Sequence, residues 1–230
     1  MARVLLVLLL TASLQAAEVR VMAAASLTDA LQEIARGYEK TSRDRIVFSF
    51  GASNILARQI AAGAPADLFL SADERSTDRV ATTTRVSVLS NQLVIVVPRG
   101  AKLRPLTSMS AIALAEPSSV PAGIYAREWL QKRGLWNAVR AKIVPTENVR
   151  GALAAVAAGN ADAAIVYRTD ARISNKVRVA ETITDGPRIS YPFALLRDAE
   201  QPQAARRFLA HLRSDAARAI FVRYGFDVLR

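Results

Sequence analysis

Cysteine is absent from this 230-residue chain, and histidine occurs once, as His211. Together these absences exclude thiol nucleophiles, disulfides, Cys- or His-rich metal cages and His-based triads built anywhere but at His211. That histidine lies in an amphipathic stretch near the C-terminal end, where a packing or surface role accounts for it. Aromatic residues make up only 6% of the chain and do not interleave with the basic ones, so no stacking platform for nucleic acid is present. Acidic residues are also scarce, 20 against 31 Lys and Arg, which leaves a formal charge of +11. Such a balance suits nucleic acid or anionic lipid, but the basic residues are mostly scattered arginines with no run of four. They read as a solvated surface that draws small anions inward. Beyond the first few residues, no apolar run approaches the roughly 20 residues of a transmembrane helix.

What is present begins with Arg3, the apolar run VLLVLLL at 4–10 and the small pair Ala16 and Ala17. This is the pattern of a cleavable signal peptide over residues 1–17. With no cysteine at the processing site for a lipid anchor, the expected product is a soluble periplasmic protein without disulfides.

Apolar runs at 19–25, 46–50, 67–70, 92–98, 111–115, 142–144, 163–167 and 189–196 read as strands. Helical patterns lie between them, such as Leu27, Leu31, Ile34 and Tyr38. The alternation predicts parallel sheets covered by helices, while length alone admits one domain or two. There is no internal repeat.

Two segments, AAASLTDAL (23–31) and FGASNILARQI (50–60), run from an apolar strand into a helix through a serine with no basic residue beside it. Helix starts offer unpaired N–H groups and the positive end of a dipole, so Ser26 and Ser53 suit a small anion held by neutral donors. A serine N-cap explains them too. Ser26 with Asp29 spells a capping box, which makes Ser26 the residue whose loss should cost both stability and binding. Ser53 has no acid at that spacing, and one hydroxyl can serve both roles. GAPADLFLSAD (63–73) is another tight passage. The carboxylates Asp29, Asp67, Asp73 and Asp170 stand where caps and turns use them.

With VPAGIYAREWL, ENVRGALAAV, AIVYRTDA and RYGF following in order, the chain resembles the periplasmic molybdate-binding proteins of ATP-driven transporters over nearly its whole length. The resemblance implies an α/β fold of two lobes, each a mixed, mainly parallel sheet flanked by helices, with the ligand in the cleft between them. It places lobe 1 at 18–92 with 196–230 and lobe 2 at 93–195, crossing outward near Asn91–Val94 and back near Phe193–Leu196. The implied ligand contacts are Ser26, Ser53, Ala122, Val149 and Tyr167. The residues agree. Pro121 has no N–H, so Ala122 is the first donor of its helix, and Asn148 can cap and leave the N–H of Val149 open. Tyr167 ends a strand. Ordinary helix starts and a half-buried aromatic would account for the same three positions.

The resemblance further implies molybdate or tungstate as ligand, no cofactor, no metal coordinated by the protein and no catalysis. Its partners would be a membrane permease and its ATPase, with no nucleic acid, and the protein a monomer. Both oxyanions are fully deprotonated tetrahedral dianions, which N–H and O–H donors satisfy, whereas hydrogen phosphate wants an acceptor and sulfate differs chiefly in size. The alternatives are a binder of sulfate or another tetrahedral oxyanion, and a basic envelope-associated interaction protein without a small ligand. The chain departs from the family pattern at Ala52 and Asn54 beside Ser53, and at Arg168, expected at the cleft mouth as an aid to anion entry. The connections at 74–91 and 99–110 are short.

Overall fold

The computed structural model describes residues 16–229, so the signal peptide read over 1–17 lies outside the described residues except for its last two. The chain opens with β1 (Glu18–Ala24), α1 (Thr28–Thr41), β2 (Arg45–Gly51), α2 (Ser53–Ala61), β3 (Leu68–Leu70), α3 (Glu74–Thr77) and β4 (Thr82–Ser90). It continues through β5 (Leu93–Pro98), β6 (Ile112–Ala115), α4 (Pro121–Lys132), α5 (Trp136–Val139), β7 (Ile143–Thr146), α6 (Val149–Ala157), β8 (Ala163–Tyr167), α7 (Arg168–Arg172) and β9 (Val177–Thr182). It closes with β10 (Tyr191–Leu196), α8 (Pro202–Leu212), α9 (Asp215–Tyr224) and β11 (Asp227–Val228).

These strands form a six-stranded sheet in the order β11-β4-β10-β3-β1-β2 and a five-stranded sheet in the order β7-β6-β8-β5-β9. Both are mixed and flanked by helices, but parallel pairing does not predominate. It is confined to β2-β1-β3 and β7-β6-β8, and all other pairs are antiparallel. The parallel strands are joined by helical crossovers, which that direction requires. β10 arrives from the other sheet instead, and nothing obliges it to run with its neighbours.

That strand also moves a boundary. Tyr191–Leu196 is hydrogen-bonded to β3 on one side and β4 on the other, inside the first sheet. The return crossing is therefore residues 183–190, not Phe193–Leu196, and β10 belongs with lobe 1. The outward crossing, residues 91–92, lies within the expected span.

The short connection at 74–91 holds α3 and the nine-residue β4. Its exposed Thr83, Arg85 and Ser87 alternate with more buried neighbours, a half-polar strand that no apolar run announces. β9, at the edge of its sheet, was hidden for the same reason.

Leu27, Leu31, Ile34 and Tyr38 are buried as their spacing predicts, and α8 and α9 pack against α1. His211 sits on α8 with its ring 4.9 Å from that of Tyr38, and burial lowers its pKa. Its role is packing. Among the described residues, no helix is long and apolar enough to cross a membrane.

Candidate functional site

The parallel half of each sheet ends at one cavity. In α/β sheets, ligand sites gather beyond the carboxyl ends of parallel strands. Here β1, β2 and β3 lead to Ser26, Ser53 and Ala72, while β6, β7 and β8 lead to Ala122, Val149 and Tyr167. All six line a single narrow pocket, which no charged side chain lines. Each of the five expected site residues is at most 4% exposed.

Ser26 lies in a single 3-10 turn, Ala25–Leu27, between β1 and α1, with its Oγ 3.0 Å from Tyr191 Oη. The expected capping box does not form. Leu27 is the N-cap of α1 and makes no side-chain cap bond, and Asp29 Oδ2 instead accepts from Arg150 Nη2 at 2.6 Å. A charge-assisted bond to a guanidinium is stronger than a cap bond to an amide, and it takes the carboxylate.

Ser53 is the first residue of α2 and does not cap it either. Its Oγ accepts from the Ala72 N–H at 3.0 Å, which leaves its own proton to donate. The Ala72 carbonyl in turn accepts from Tyr125 Oη of α4 at 3.4 Å, a contact that joins the two sides.

The second side offers backbone. Pro121 opens α4 and Val120 gives no side-chain cap, so Ala122 carries the first N–H of that helix. The helix start is pressed against the end of β6: a Cβ on Gly123 would lie 2.0 Å from the Ala115 carbonyl oxygen, and only glycine fits. Asn148 caps α6, its Oδ1 accepting from the N–H groups of Arg150 at 2.9 Å and Gly151 at 3.2 Å. The cap thereby leaves the N–H of Val149, a lining residue of the cavity, untaken.

Tyr167 packs edge-on against Tyr191, with ring centroids 6.0 Å apart. Its Oη is buried and has no hydrogen-bond partner among the described residues. Burial pushes this phenol well above its ordinary pKa, so it remains a donor.

Charge stands one residue behind. Besides meeting Asp29, Arg150 brings its Nε to 2.6 Å from Asp170 Oδ1, a charge contact outside hydrogen-bond geometry. Burial pushes the fully buried Asp170 carboxyl up to about 6 against the opposing pull of Arg150. Asp73 caps α3, accepting from the Ser76 N–H, whereas Asp67 holds distant segments together, accepting from the N–H groups of Arg20 in β1 and Gln201 before α8, 47 and 134 residues away.

Arg168 is not at the cleft mouth. Its guanidinium donates to the Gly225 carbonyl at 2.8 Å and to Asp227 Oδ1 at 2.8 Å, tying α7 to the C-terminal turn. That turn bends through Gly225 at φ 96° and presents its carbonyl to the arginine. Sequence reasoning missed Ala72, Tyr125, Arg150 and Tyr191. Only Arg150, beside Val149, stood near an expected contact.

The bacterial extracellular solute-binding protein family matches residues 19–227. The molybdate-binding protein ModA of Escherichia coli (strain K12) is 40% identical over 230 residues, covering 92% of this chain and 89% of that protein. Among solved structures, the substrate binding domain of a putative molybdenum ABC transporter from Clostridium difficile is 30% identical, with a TM-score of 0.72 over 94% of this chain and 100% of that one. The Azotobacter vinelandii periplasmic molybdate-binding protein, 22% identical, shares the fold at a TM-score of 0.84, covering 92% of this chain and 100% of its own. The match spans both sheets and every wall of the cavity, and the chain belongs to the bacterial extracellular solute-binding protein family.

Proposed function

We propose that this protein captures molybdate, and tungstate with it, in the cavity between its two sheets and delivers the oxyanion to a membrane permease driven by an ATPase. It does so as a soluble periplasmic monomer released from its signal peptide, and it catalyses no reaction. The observation that carries the reading is the convergence of neutral donors from both sides: the hydroxyls of Ser26, Ser53 and Tyr167 and the N–H groups of Ala122 and Val149. Ser53 Oγ and Asn148 Oδ1 already accept from backbone N–H groups. A fully deprotonated tetrahedral dianion satisfies such a cavity. Hydrogen phosphate brings a proton that needs an acceptor. Sulfate has the right charge but shorter bonds to oxygen, so size is what must separate it from molybdate.

A thermal-shift panel tests the reading. Molybdate or tungstate at about 1,000 times its dissociation constant should stabilise the native state by roughly 4 kcal/mol, with sulfate and phosphate at equal concentration giving much less. Equal shifts for molybdate and sulfate, or none for any anion, would overturn it. Because the donors are uncharged, raising salt should slow association and leave most of the affinity intact.

A further inference from the structure

Ser26 Oγ is the one hydroxyl of the cavity that meets another hydroxyl, Tyr191 Oη at 3.0 Å, and distance alone leaves open which of the two donates. The neighbours settle it. Asn91 lies in the outward crossing, and its Oδ1 accepts from the Gln92 N–H at 2.9 Å, which orients the amide. The two protons on its Nδ2 then go to Thr169 Oγ1 at 2.9 Å and to Tyr191 Oη at 3.2 Å. Tyr191, the first residue of β10, is fully buried and remains neutral, because burial and nearby Asp170 raise its pKa. Having accepted from Asn91, it has one proton left, and Ser26 Oγ is the acceptor within reach.

We propose that Asn91 and Tyr191 are positioning residues that fix Ser26 as a hydrogen-bond donor to the bound oxyanion. Ser26 accepts from Tyr191, so its own proton cannot be used there and goes to the cavity. Were the chain of bonds reversed, Ser26 would donate to Tyr191 and turn a lone pair toward a dianion. With the Asn91 amide already on its oxygen, that order would leave the buried Tyr191 proton without an acceptor. The donor sense of a ligand contact is thus set from the outward crossing and from the first residue of β10, through bonds spanning 165 and 100 residues of sequence. The inference rests on the oxyanion reading of the cavity.

Calorimetric titration with molybdate tests it on Tyr191→Phe, Ser26→Ala, Asn91→Asp and their pairwise combinations, with folding checked by thermal melting. Tyr191→Phe keeps the ring that packs on Tyr167 and Phe226. It should weaken molybdate by about tenfold alone and by less than about twofold on top of Ser26→Ala. Asn91→Asp supplies an acceptor for the Tyr191 proton and turns the chain of bonds round. It should cost more than Tyr191→Phe, and adding Tyr191→Phe to it should restore affinity, because Ser26 is then freed. A packing role would instead make the two losses add. Unchanged affinity in Tyr191→Phe, or an equal loss with and without Ser26, overturns the positioning role. Unchanged affinity in Ser26→Ala overturns the reading of the cavity itself. If Tyr191→Phe did not fold, Asn91→Asp with and without Ser26→Ala would decide in its place.

Discussion

Val149 lines the cavity with its neutral N–H untaken by the cap, while Arg150, the next residue of α6, holds its charge away between Asp29 and Asp170. The cavity is thus lined by dipoles, and the ions stand in a shell one residue behind, paired with each other. One guanidinium facing two carboxylates gives that shell no surplus of positive charge. On the proposed reading the anion is held by hydrogen bonds alone, and hydrogen bonds discriminate by direction and distance. A guanidinium inside the cavity would grip phosphate, sulfate and molybdate alike. The shell serves the geometry instead: Arg150 ties α6 and α7, beside the second sheet, to α1 beside the first.

The largest effects on affinity are expected inside the cavity. Hydrogen bonds to a charged partner contribute about 1.5–3 kcal/mol, so Ser26→Ala or Ser53→Ala should each weaken molybdate roughly ten- to a hundredfold. Both should also cost stability. Ser53→Ala leaves the Ala72 N–H without its partner and Ser26→Ala leaves the buried Tyr191 hydroxyl without its acceptor, each at about 1–3 kcal/mol. Titration and urea unfolding on both variants check this. An affinity loss no greater than that of a shell variant would erase the contrast between cavity and shell.

Val149→Pro tests the other wall. It removes one backbone N–H at the first position of α6, where proline is favoured, and Asn148 at φ −155° and ψ 177° already has the extended backbone that precedes a proline. Affinity should fall about tenfold with little change in melting temperature. A full-strength binder would mean that this N–H does not meet the ligand.

Which of these features were legible in the sequence follows from distance along the chain. Ser26, Ser53 and Val149 each stand within three residues of a strand's carboxyl end, so strand and site could be read together. Asp29 looked like half of a capping box because its true partner, Arg150, is 121 residues away. YPFALL read as a strand, but nothing local says which of two sheets it will join, and the return crossing was misplaced accordingly. β4 has too few buried side chains to form an apolar run. Arg168 beside Tyr167 suggested the cleft, whereas the carbonyl that holds it lies 57 residues on, at Gly225.

Asp29→Asn should affect binding less. The Asp29 side chain is 37% exposed, and pairs at that level of exposure contribute about 1 kcal/mol or less, so molybdate affinity should fall no more than about fivefold. Because this pair spans the two sides, the loss should appear as faster release in stopped-flow dissociation. A loss as large as that of Ser26→Ala would show the shell acting as a binding group.

The smallest effect on binding, visible in stability instead, comes from Asp170. Its carboxyl, pushed by burial from an ordinary 3.8 to about 6, takes up a proton in the native state before the unfolded chain does. On this account stability is lowest above about pH 7 and rises as pH falls from about 6 to about 4, by about 1 kcal/mol between pH 7 and pH 5. Glu33, Asp44 and Glu74 are held below the ordinary carboxylate range, so what they contribute is lost only at lower pH. Urea unfolding at pH 7 and pH 5 should therefore show wild type gaining on Asp170→Asn as pH drops. With a proton on Asp170, the shell is one guanidinium facing the single carboxylate of Asp29, neutral like the cavity it surrounds. Equal pH dependence in both proteins would mean that Asp170 stays ionised and that a net negative shell stands behind a site for a dianion, which would leave the hydrogen bonds of the cavity to overcome repulsion as well.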